Sequence, residues 1–110
     1  MRRAAEFAAT VRAGSRAGAR AMTVHVARTG DHSGVRVGFV VARAVGSAVV
    51  RNRVRRQLRH LLRSRLAGLP GGLDIVVRAN PAAAGLRSAA LAPEVDRALA
   101  KALERAGVSA

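Results

Sequence analysis

The chain contains no cysteine, tryptophan or tyrosine, and Phe7 and Phe39 are its only aromatic residues. Without cysteine it can form neither a disulfide nor a thiolate metal site. The three histidines lack the paired spacing of a metal-binding motif. No apolar run approaches the roughly 20 residues of a membrane span, and the first residues include no apolar stretch of signal-peptide length. These absences predict a cytoplasmic protein with no membrane anchor, no metal site of its own and an aliphatic core.

Acidic residues are scarce, with six Asp and Glu against twenty Lys and Arg, so the formal net charge is +14. A compact protein with this charge repels itself unless a polyanion neutralises it, and nucleic acid is the commonest polyanion in a cell. Every basic residue except Lys101 is arginine. Codon usage in a GC-rich genome also produces such an excess, so the arginines alone are weak evidence for phosphate binding. The net charge predicts a nucleic-acid partner.

Half of the residues are apolar, which is enough for one small domain, predicted to cover residues 1–110. The predicted elements are a helix at 3–11, strands at 23–27 and 35–42, a helix after Ser47, a strand at 73–78 and a helix opened by Pro93. We expect the first two strands to pair as an antiparallel hairpin. Residues 12–20 are expected to form a flexible basic loop, and residues 80–92 are ambiguous. This order predicts an α+β sandwich in which helices cover one sheet.

The helix after Ser47 has the clearest pattern in the sequence. Ser47 is predicted to cap it by accepting a backbone amide of the first turn, and Gly68 and Pro70 end it. Its apolar stripe consists of Val50, Val54, Leu58, Leu61, Leu62 and Leu66. The following strand is continuously apolar at residues 75–77, which favours a central position in the sheet.

Seven arginines fall between positions 51 and 65, and no acid lies between Asp31 and Asp74. Like charges on a helix repel by a few tenths of a kcal/mol per pair, so helix stability alone does not favour this array. Guanidinium groups fork onto phosphate oxygens, and each neutralised phosphate releases counterions. The alternative is a solvated charged face, which is more usual where both signs of charge are mixed.

The stretch R-V-G-F-V-V-A-R-A-V-G-S-A-V-V-R-N-R-V-R-R-Q-L-R at residues 36–59 resembles the signature of the ribonuclease P protein family. The resemblance extends to Phe7 ahead of Gly14, and to residues 74–79 with Pro81 after them. It implies a ribosomal-protein-like fold in the order αβββαβα, with a left-handed βαβ crossover against the usual right-handed preference. A fourth short strand near residues 45–49 would complete that order.

The resemblance also implies roles for individual residues. In this family the RNA subunit cleaves the 5′ leader from precursor tRNA with Mg²⁺, and the protein binds both RNAs without a small-molecule cofactor. The implied RNA-binding residues are Arg43, Arg51, Asn52, Arg53, Arg55, Arg56 and Arg59. A cleft between the first helix and the sheet is implied to hold the leader, and its residues are Phe7, Val11, Arg16 and His25.

Several positions depart from the family pattern. Ala44 replaces the second residue of a basic pair, and Val11 and His25 stand where aromatic residues are usual, so Arg16 and Arg20 are candidates to replace the missing stacking. Phe7 suits either a leader contact or a core contact. His25 fits a substitute ring or a surface residue better than a general base. The N-terminal segment is also shorter than usual.

The acids form no close pair except Glu94 and Asp96, which we predict complement the dipole at a helix start. We therefore predict no catalytic residue in this chain. Two other functions stay open at this level: a ribosomal or other RNA-scaffolding protein with the same fold, and a DNA-binding protein of the nucleoid.

Overall fold

The computed structural model describes residues 9–11, 14–29 and 33–108. Residues 9–11 are helical and precede four strands, β1 to β4, and two long helices, α1 and α2. These elements are β1 (Ser15–Gly18), β2 (Met22–Arg28), β3 (Val35–Val41), α1 (Ala48–Arg65), β4 (Leu73–Ala79) and α2 (Ser88–Arg105). Short 3₁₀ turns at Arg43–Val45 and Pro81–Gly85 precede α1 and α2. The α+β class and the order αβββαβα are confirmed.

The four strands form one mixed sheet in the order β1-β2-β4-β3. β2 is antiparallel to both β1 and β4, whereas β3 is parallel to β4. The antiparallel hairpin predicted between the strands at 23–27 and 35–42 is therefore wrong, because these strands are β2 and β3 and β4 lies between them. The apolar run of β4 explains this position: Ile75, Val76 and Val77 are all fully buried, which requires cover on both faces of the sheet.

The N-terminal part of the sheet differs most from the prediction. Residues 15–18, predicted as part of a basic loop, form the edge strand β1. The predicted strand near residues 45–49 is wrong, since that segment holds the end of a 3₁₀ turn and the start of α1. Ala17 is the only buried residue of β1. A short strand that buries one alanine has almost no apolar pattern by which a sequence could reveal it.

Both long helices cover one face of the sheet. The core contains alternate residues of β2 and β4 packed against α1 and α2, and Val54, Leu58 and Leu62 supply the stripe predicted for α1. Ser47 caps α1 as predicted, with its Oγ accepting the backbone N–H of Val50 at 3.3 Å. The part of the chain that the structure describes contains no helix long and apolar enough to cross a bilayer.

The turn into α1 depends on Gly46. Its φ is +155°, and an added Cβ would lie 2.9 Å from Cγ1 of Val50. A larger residue would therefore push against the first turn of α1. This fixes the direction in which the arginine-rich helix leaves the 3₁₀ turn.

α2 begins at Ser88, so Pro93 is the sixth residue of the helix and does not open it. The expected dipole role of Glu94 and Asp96 is also wrong. Glu94 is buried, and its Oε1 accepts the backbone N–H of Ala21 at 2.7 Å. Asp96 binds Arg65 at the end of α1, including a hydrogen bond of 3.3 Å from Nη2 to Oδ2. This pair lowers the pKa of Asp96, chiefly through the hydrogen bonding from Arg65.

A buried ion pair joins the two parallel strands. Arg36 of β3 donates from Nε and Nη2 to the two carboxylate oxygens of Asp74 of β4, at 2.8 and 2.9 Å. The Asp74 side chain is 6% exposed and that of Arg36 is 39% exposed. The pair therefore fixes the register of β3 against β4 from a largely buried position.

We expect Asp74→Ala to lower the free energy of unfolding by about 1–3 kcal/mol, since it leaves Arg36 without its fork. The loss should be smaller than for a fully buried pair because Arg36 keeps some contact with water. Urea denaturation measures the change. Asp96→Ala is the control: its side chain is 56% exposed, so its loss should stay within about 1 kcal/mol. Equal losses would contradict the role given to the buried pair.

Candidate nucleic-acid interface

The outer face of α1 points away from the sheet and carries most of the predicted RNA-binding residues. Residues three or four positions apart share a face of a helix. The exposed residues of this face are Val49, Asn52, Arg53, Arg56, Arg59, His60 and Arg63. The stripe through Val54, Leu58 and Leu62 is buried on the opposite side. Packing of the apolar stripe therefore orients the cationic face outward.

The carboxylates among the described residues do not neutralise this face. Of the seven arginines between positions 51 and 65, only Arg65 forms an ion pair with a carboxylate among the described residues. Arg65 lies at the end of α1, on the side that meets α2. None of the other six guanidinium groups pairs with a described carboxylate, and the exposed ones, Arg53, Arg56, Arg59 and Arg63, can meet an external anion, as phosphate binding requires.

Three contacts hold side chains of the outer face. Arg53 donates from Nη2 to the carbonyl of Ala84 in the second 3₁₀ turn. Arg55 donates from Nη1 to Oδ1 of Asn52 at 3.0 Å. The guanidinium of Arg59 lies over the ring of Phe39, 5.9 Å from its centroid. Such contacts reduce the rotamer freedom that each side chain loses on binding.

Arg43 and Arg51 occupy different environments from the rest of the predicted set. Arg43 is exposed on the 3₁₀ turn just before α1. Arg51 is half-buried, and its Nε is buried without a hydrogen-bond partner in the described structure. The structure thus brings Asn52, Arg53 and the following arginines onto one helix, with Arg51 turned toward the interior. The role of each residue in RNA binding stays a prediction.

A groove beside the outer face of α1 was not predicted from the sequence. It has a volume of about 350 Å³ and lies between β3 and α1. Its lining consists of Val35, Val37, Phe39, Arg59, Leu62, Arg63 and Leu66. Phe39 provides a ring, and Arg59 and Arg63 provide charge at the rim. His60 was missed as well, although its position four residues after Arg56 and three before Arg63 places it on the same face.

Two of the predicted leader-binding residues, Arg16 and His25, lie on the face of the sheet that α1 and α2 do not cover. We call this the far face, formed by Arg16, Thr23, His25, Val76 and Arg78. Cross-strand pairing places His25 opposite Arg16 on one side and opposite Val76 on the other, and places Thr23 opposite Arg78. Paired residues point to the same side of a sheet, so these five share a face.

The remaining two residues of the predicted cleft lie before the sheet. Val11 is half-buried at the end of the helical residues 9–11. Phe7 lies outside the described residues, so both interpretations of it stay open.

His25 is not a surface residue, which corrects one of the two roles predicted for it. It is 2% exposed, and neither ring nitrogen has a hydrogen-bond partner in the described structure. Burial lowers its pKa below the ordinary value of 6.5, and the neighbouring charges of Arg78 and Arg16 lower it further. Because the ring is buried, it presents no face to an external base, and burial disfavours its charged form. Arg78, which is exposed, was not among the predicted residues.

The lowered pKa of His25 predicts a pH dependence of stability. Above about pH 6.5 the ring is neutral in both the folded and the unfolded protein. Below that pH the unfolded chain takes up a proton that the fold resists, so stability falls as the pH is lowered. Glutamine takes up no proton in this range, so we expect the difference in free energy of unfolding between the protein and its His25→Gln variant to shrink from pH 7 to pH 5. Urea denaturation at both values measures it, and a pH-independent difference would contradict the prediction.

The described carboxylates are all engaged within the protein. Asp74 binds Arg36, Glu94 accepts the Ala21 amide, Asp96 binds Arg65, and Glu104 lies 3.9 Å from Lys101. No group of three or more potential metal ligands occurs within residues 9–11, 14–29 and 33–108. These residues therefore do not form an oxygen cage of the kind that Mg²⁺ prefers.

Comparison with known proteins gives a consistent result. The family model described as Ribonuclease P matches residues 1–103. The fold is similar to that of the RNase P protein of Staphylococcus aureus, with a TM-score of 0.85, 22% identity and coverage of 93% of each chain. It is also similar to the RNase P protein of Thermotoga maritima in complex with 1-(4-fluorophenyl)-2-thiourea, with a TM-score of 0.78 and 22% identity over 88% of this chain and 94% of that one. No curated protein sequence matches the chain.

Proposed function

Because the chain belongs to the ribonuclease P protein family, we propose that it binds the catalytic RNA of ribonuclease P and the 5′ leader of precursor tRNA. It would thereby assist the Mg²⁺-dependent removal of the leader in the cytoplasm. The observation that carries this proposal is the outer face of α1, where a row of arginines lies opposite a buried apolar stripe and away from the described carboxylates.

The outer face of α1 is the proposed docking surface for the catalytic RNA. Arg56 and Arg59 point outward, and a guanidinium contacts two oxygens of one phosphate more readily than an ammonium does. Asn52 can donate from its amide while its Oδ1 accepts from Arg55. The groove beside Phe39 gives an unpaired base of the same RNA a ring to stack on. Docking should therefore combine a salt-dependent contribution with a stacking contribution.

The far face is the proposed leader site. Arg16 and Arg78 are exposed and supply positive charge on either side of the buried His25, and single-stranded RNA is bound by positively charged surfaces that follow its backbone. We therefore propose that the far face holds the leader mainly by its backbone phosphates.

We propose that the chemistry belongs to the RNA subunit and its Mg²⁺ ions. The described carboxylates are occupied by arginine, lysine or backbone partners, so this chain would hold substrate and neutralise phosphate charge. Neutralisation of this kind replaces part of the counterion charge that the RNA otherwise takes from solution. The protein should consequently lower the Mg²⁺ concentration that cleavage requires.

Reconstitution tests the proposed function. The protein is mixed with a bacterial ribonuclease P RNA and a precursor tRNA, and leader removal is followed across a Mg²⁺ titration. We expect the midpoint to shift to lower Mg²⁺. If the protein binds ribosomal RNA or duplex DNA more tightly and leaves the midpoint unchanged, an RNA-scaffolding or nucleoid role is correct instead.

A further inference from the structure

A second concentration of positive charge lies at the β1 edge of the sheet. A concave surface of about 570 Å³ is lined there by Arg20, Arg97, Lys101 and Arg105. Its floor is formed by residues 17–19, whose side chains are small or absent. We call this surface the β1-edge pocket. It is separated from β3, the strand nearest α1, by the width of the sheet, about 14 Å at the usual strand spacing.

Glu94, the one carboxylate that lines the β1-edge pocket, has a structural role. Glu94 is buried, and its Oε1 holds the turn between β1 and β2 through the Ala21 amide. Its Oε2 lies 4.0 Å from Nη2 of Arg20, whose side chain is still 72% exposed. Asn80 supports the same turn by donating from Nδ2 to the carbonyls of Ala19 and Arg20, at 3.4 and 3.3 Å. The turn is thus fixed with Arg20 directed toward solvent.

The cations contributed by α2 repeat the pattern of α1. Arg97, Lys101 and Arg105 are spaced by four residues, so they stack along one face, where like charges repel. Lys101 forms an ion pair with Glu104, at 3.9 Å between Nζ and Oε2, and Glu104 lies outside the pocket lining. Only Lys101 of these three cations has an ion pair among the described residues, so Arg97 and Arg105 leave positive charge that an external anion can neutralise.

The β1-edge pocket is continuous with the far face. Arg105 donates from Nη1 to the backbone carbonyl of Arg16 at 2.8 Å. The side chain of Arg16 points to the far face opposite His25. The cationic surface therefore passes from the far face around the edge of β1 into the pocket.

We propose that the β1-edge pocket binds the phosphates of the upstream part of the 5′ leader, after the leader leaves the far face at Arg16. This inference rests on the proposed function. Its continuity with the proposed leader site favours the leader as occupant, and its distance from α1 separates it from the proposed docking surface. A positively charged groove that follows the backbone is the usual way to bind a single strand without sequence preference.

The double variant R97Q/K101Q tests this proposal in the reconstituted holoenzyme. Binding is measured for two precursors, one with a leader of about 4 nucleotides and one with about 16, which spans the site sizes of single-strand grooves. Loss of two phosphate contacts should weaken binding of the long-leader precursor by about 10- to 30-fold at 0.1 M salt. Binding of the short-leader precursor should stay within about twofold of the unmodified protein.

Two controls accompany the double variant. R97K/K101R keeps both charges, so it should retain the tighter binding of the long leader. Arg28→Gln removes a charge from the opposite end of β2, and it should affect neither precursor. Urea midpoints confirm that each variant is folded.

Two results would overturn the inference: unchanged binding of the long leader by R97Q/K101Q, or equal loss for both leaders. Failure of the unmodified protein to lower the Mg²⁺ requirement would instead refute the proposed function, and this inference with it.

Discussion

The double variant R56Q/R59Q is expected to bind the catalytic RNA roughly 50- to 100-fold more weakly than the unmodified protein at about 0.1 M salt. Both side chains are exposed on the outer face of α1 and are unpaired with carboxylates among the described residues. Each phosphate contact contributes about 0.9 to the slope of log K against log salt. The slope should therefore become shallower by about two, which filter binding across a salt series measures.

The matched control for this prediction is R56K/R59K, which keeps the charge and removes the planar fork. It should retain nearly the full salt slope while losing some affinity, because an ammonium makes fewer directed hydrogen bonds. If R56Q/R59Q leaves the slope unchanged, these side chains face water in the complex, and the docking surface has been placed wrongly.

Leu58→Ala is expected to lower the free energy of unfolding by about 2–5 kcal/mol. Leu58 is fully buried in the stripe of α1 that packs on the sheet. Its truncation leaves a cavity beneath the arginine row, and a domain of this size has about 5–15 kcal/mol of stability in total. The melting temperature should fall by about 10–20 °C, as calorimetry can measure.

Val49→Ala is the control for the loss at Leu58. Val49 lies on the same helix and is 79% exposed, so its truncation should change stability by less than about 0.5 kcal/mol. Saturating catalytic RNA should raise the melting temperature of both variants, since it binds the folded state. A Leu58→Ala protein as stable as Val49→Ala would show that α1 does not depend on this packing.

The sequence predicted those elements whose apolar pattern is strong. α1 has a capping serine, a continuous stripe and a glycine–proline end, and all three are found in the structure. β4 was placed centrally because three consecutive apolar residues need cover on both faces. In each case the apolar pattern shows which sides of the element are buried, and this indicates where the element lies in the fold.

The pairing of strands could not be predicted in the same way. β2 and β3 are consecutive, and consecutive strands usually pair, but β4 inserts between them after the α1 crossover. Nothing within residues 23–42 encodes that insertion. The start of α2 was missed for a related reason: residues 88–92 are mostly alanine, which fits a helix or a loop, and Pro93 resembles a helix opening.

The candidate site was predicted well where the helix determines it and poorly where the sheet does. Helical spacing alone separates the outer face from the stripe, so Arg56 and Arg59 were identified directly. Spacing also places His60 on the outer face, although a single histidine gave no reason to select it. Arg78 and Phe39 could be identified only from the arrangement of the strands. Pairing of β4 with β2 brings Arg78 near His25, and the position of β3 brings Phe39 beneath Arg59.

The most direct test of the central claim is photocrosslinking to the catalytic RNA in the reconstituted holoenzyme. A crosslinking residue is placed at position 60, at the centre of the outer face of α1, and for comparison at position 28, at the end of β2. We expect crosslinks from position 60 at a few defined nucleotides of the catalytic RNA, and none at those nucleotides from position 28. Equal crosslinking from both positions, or none from position 60, would contradict an interface on α1.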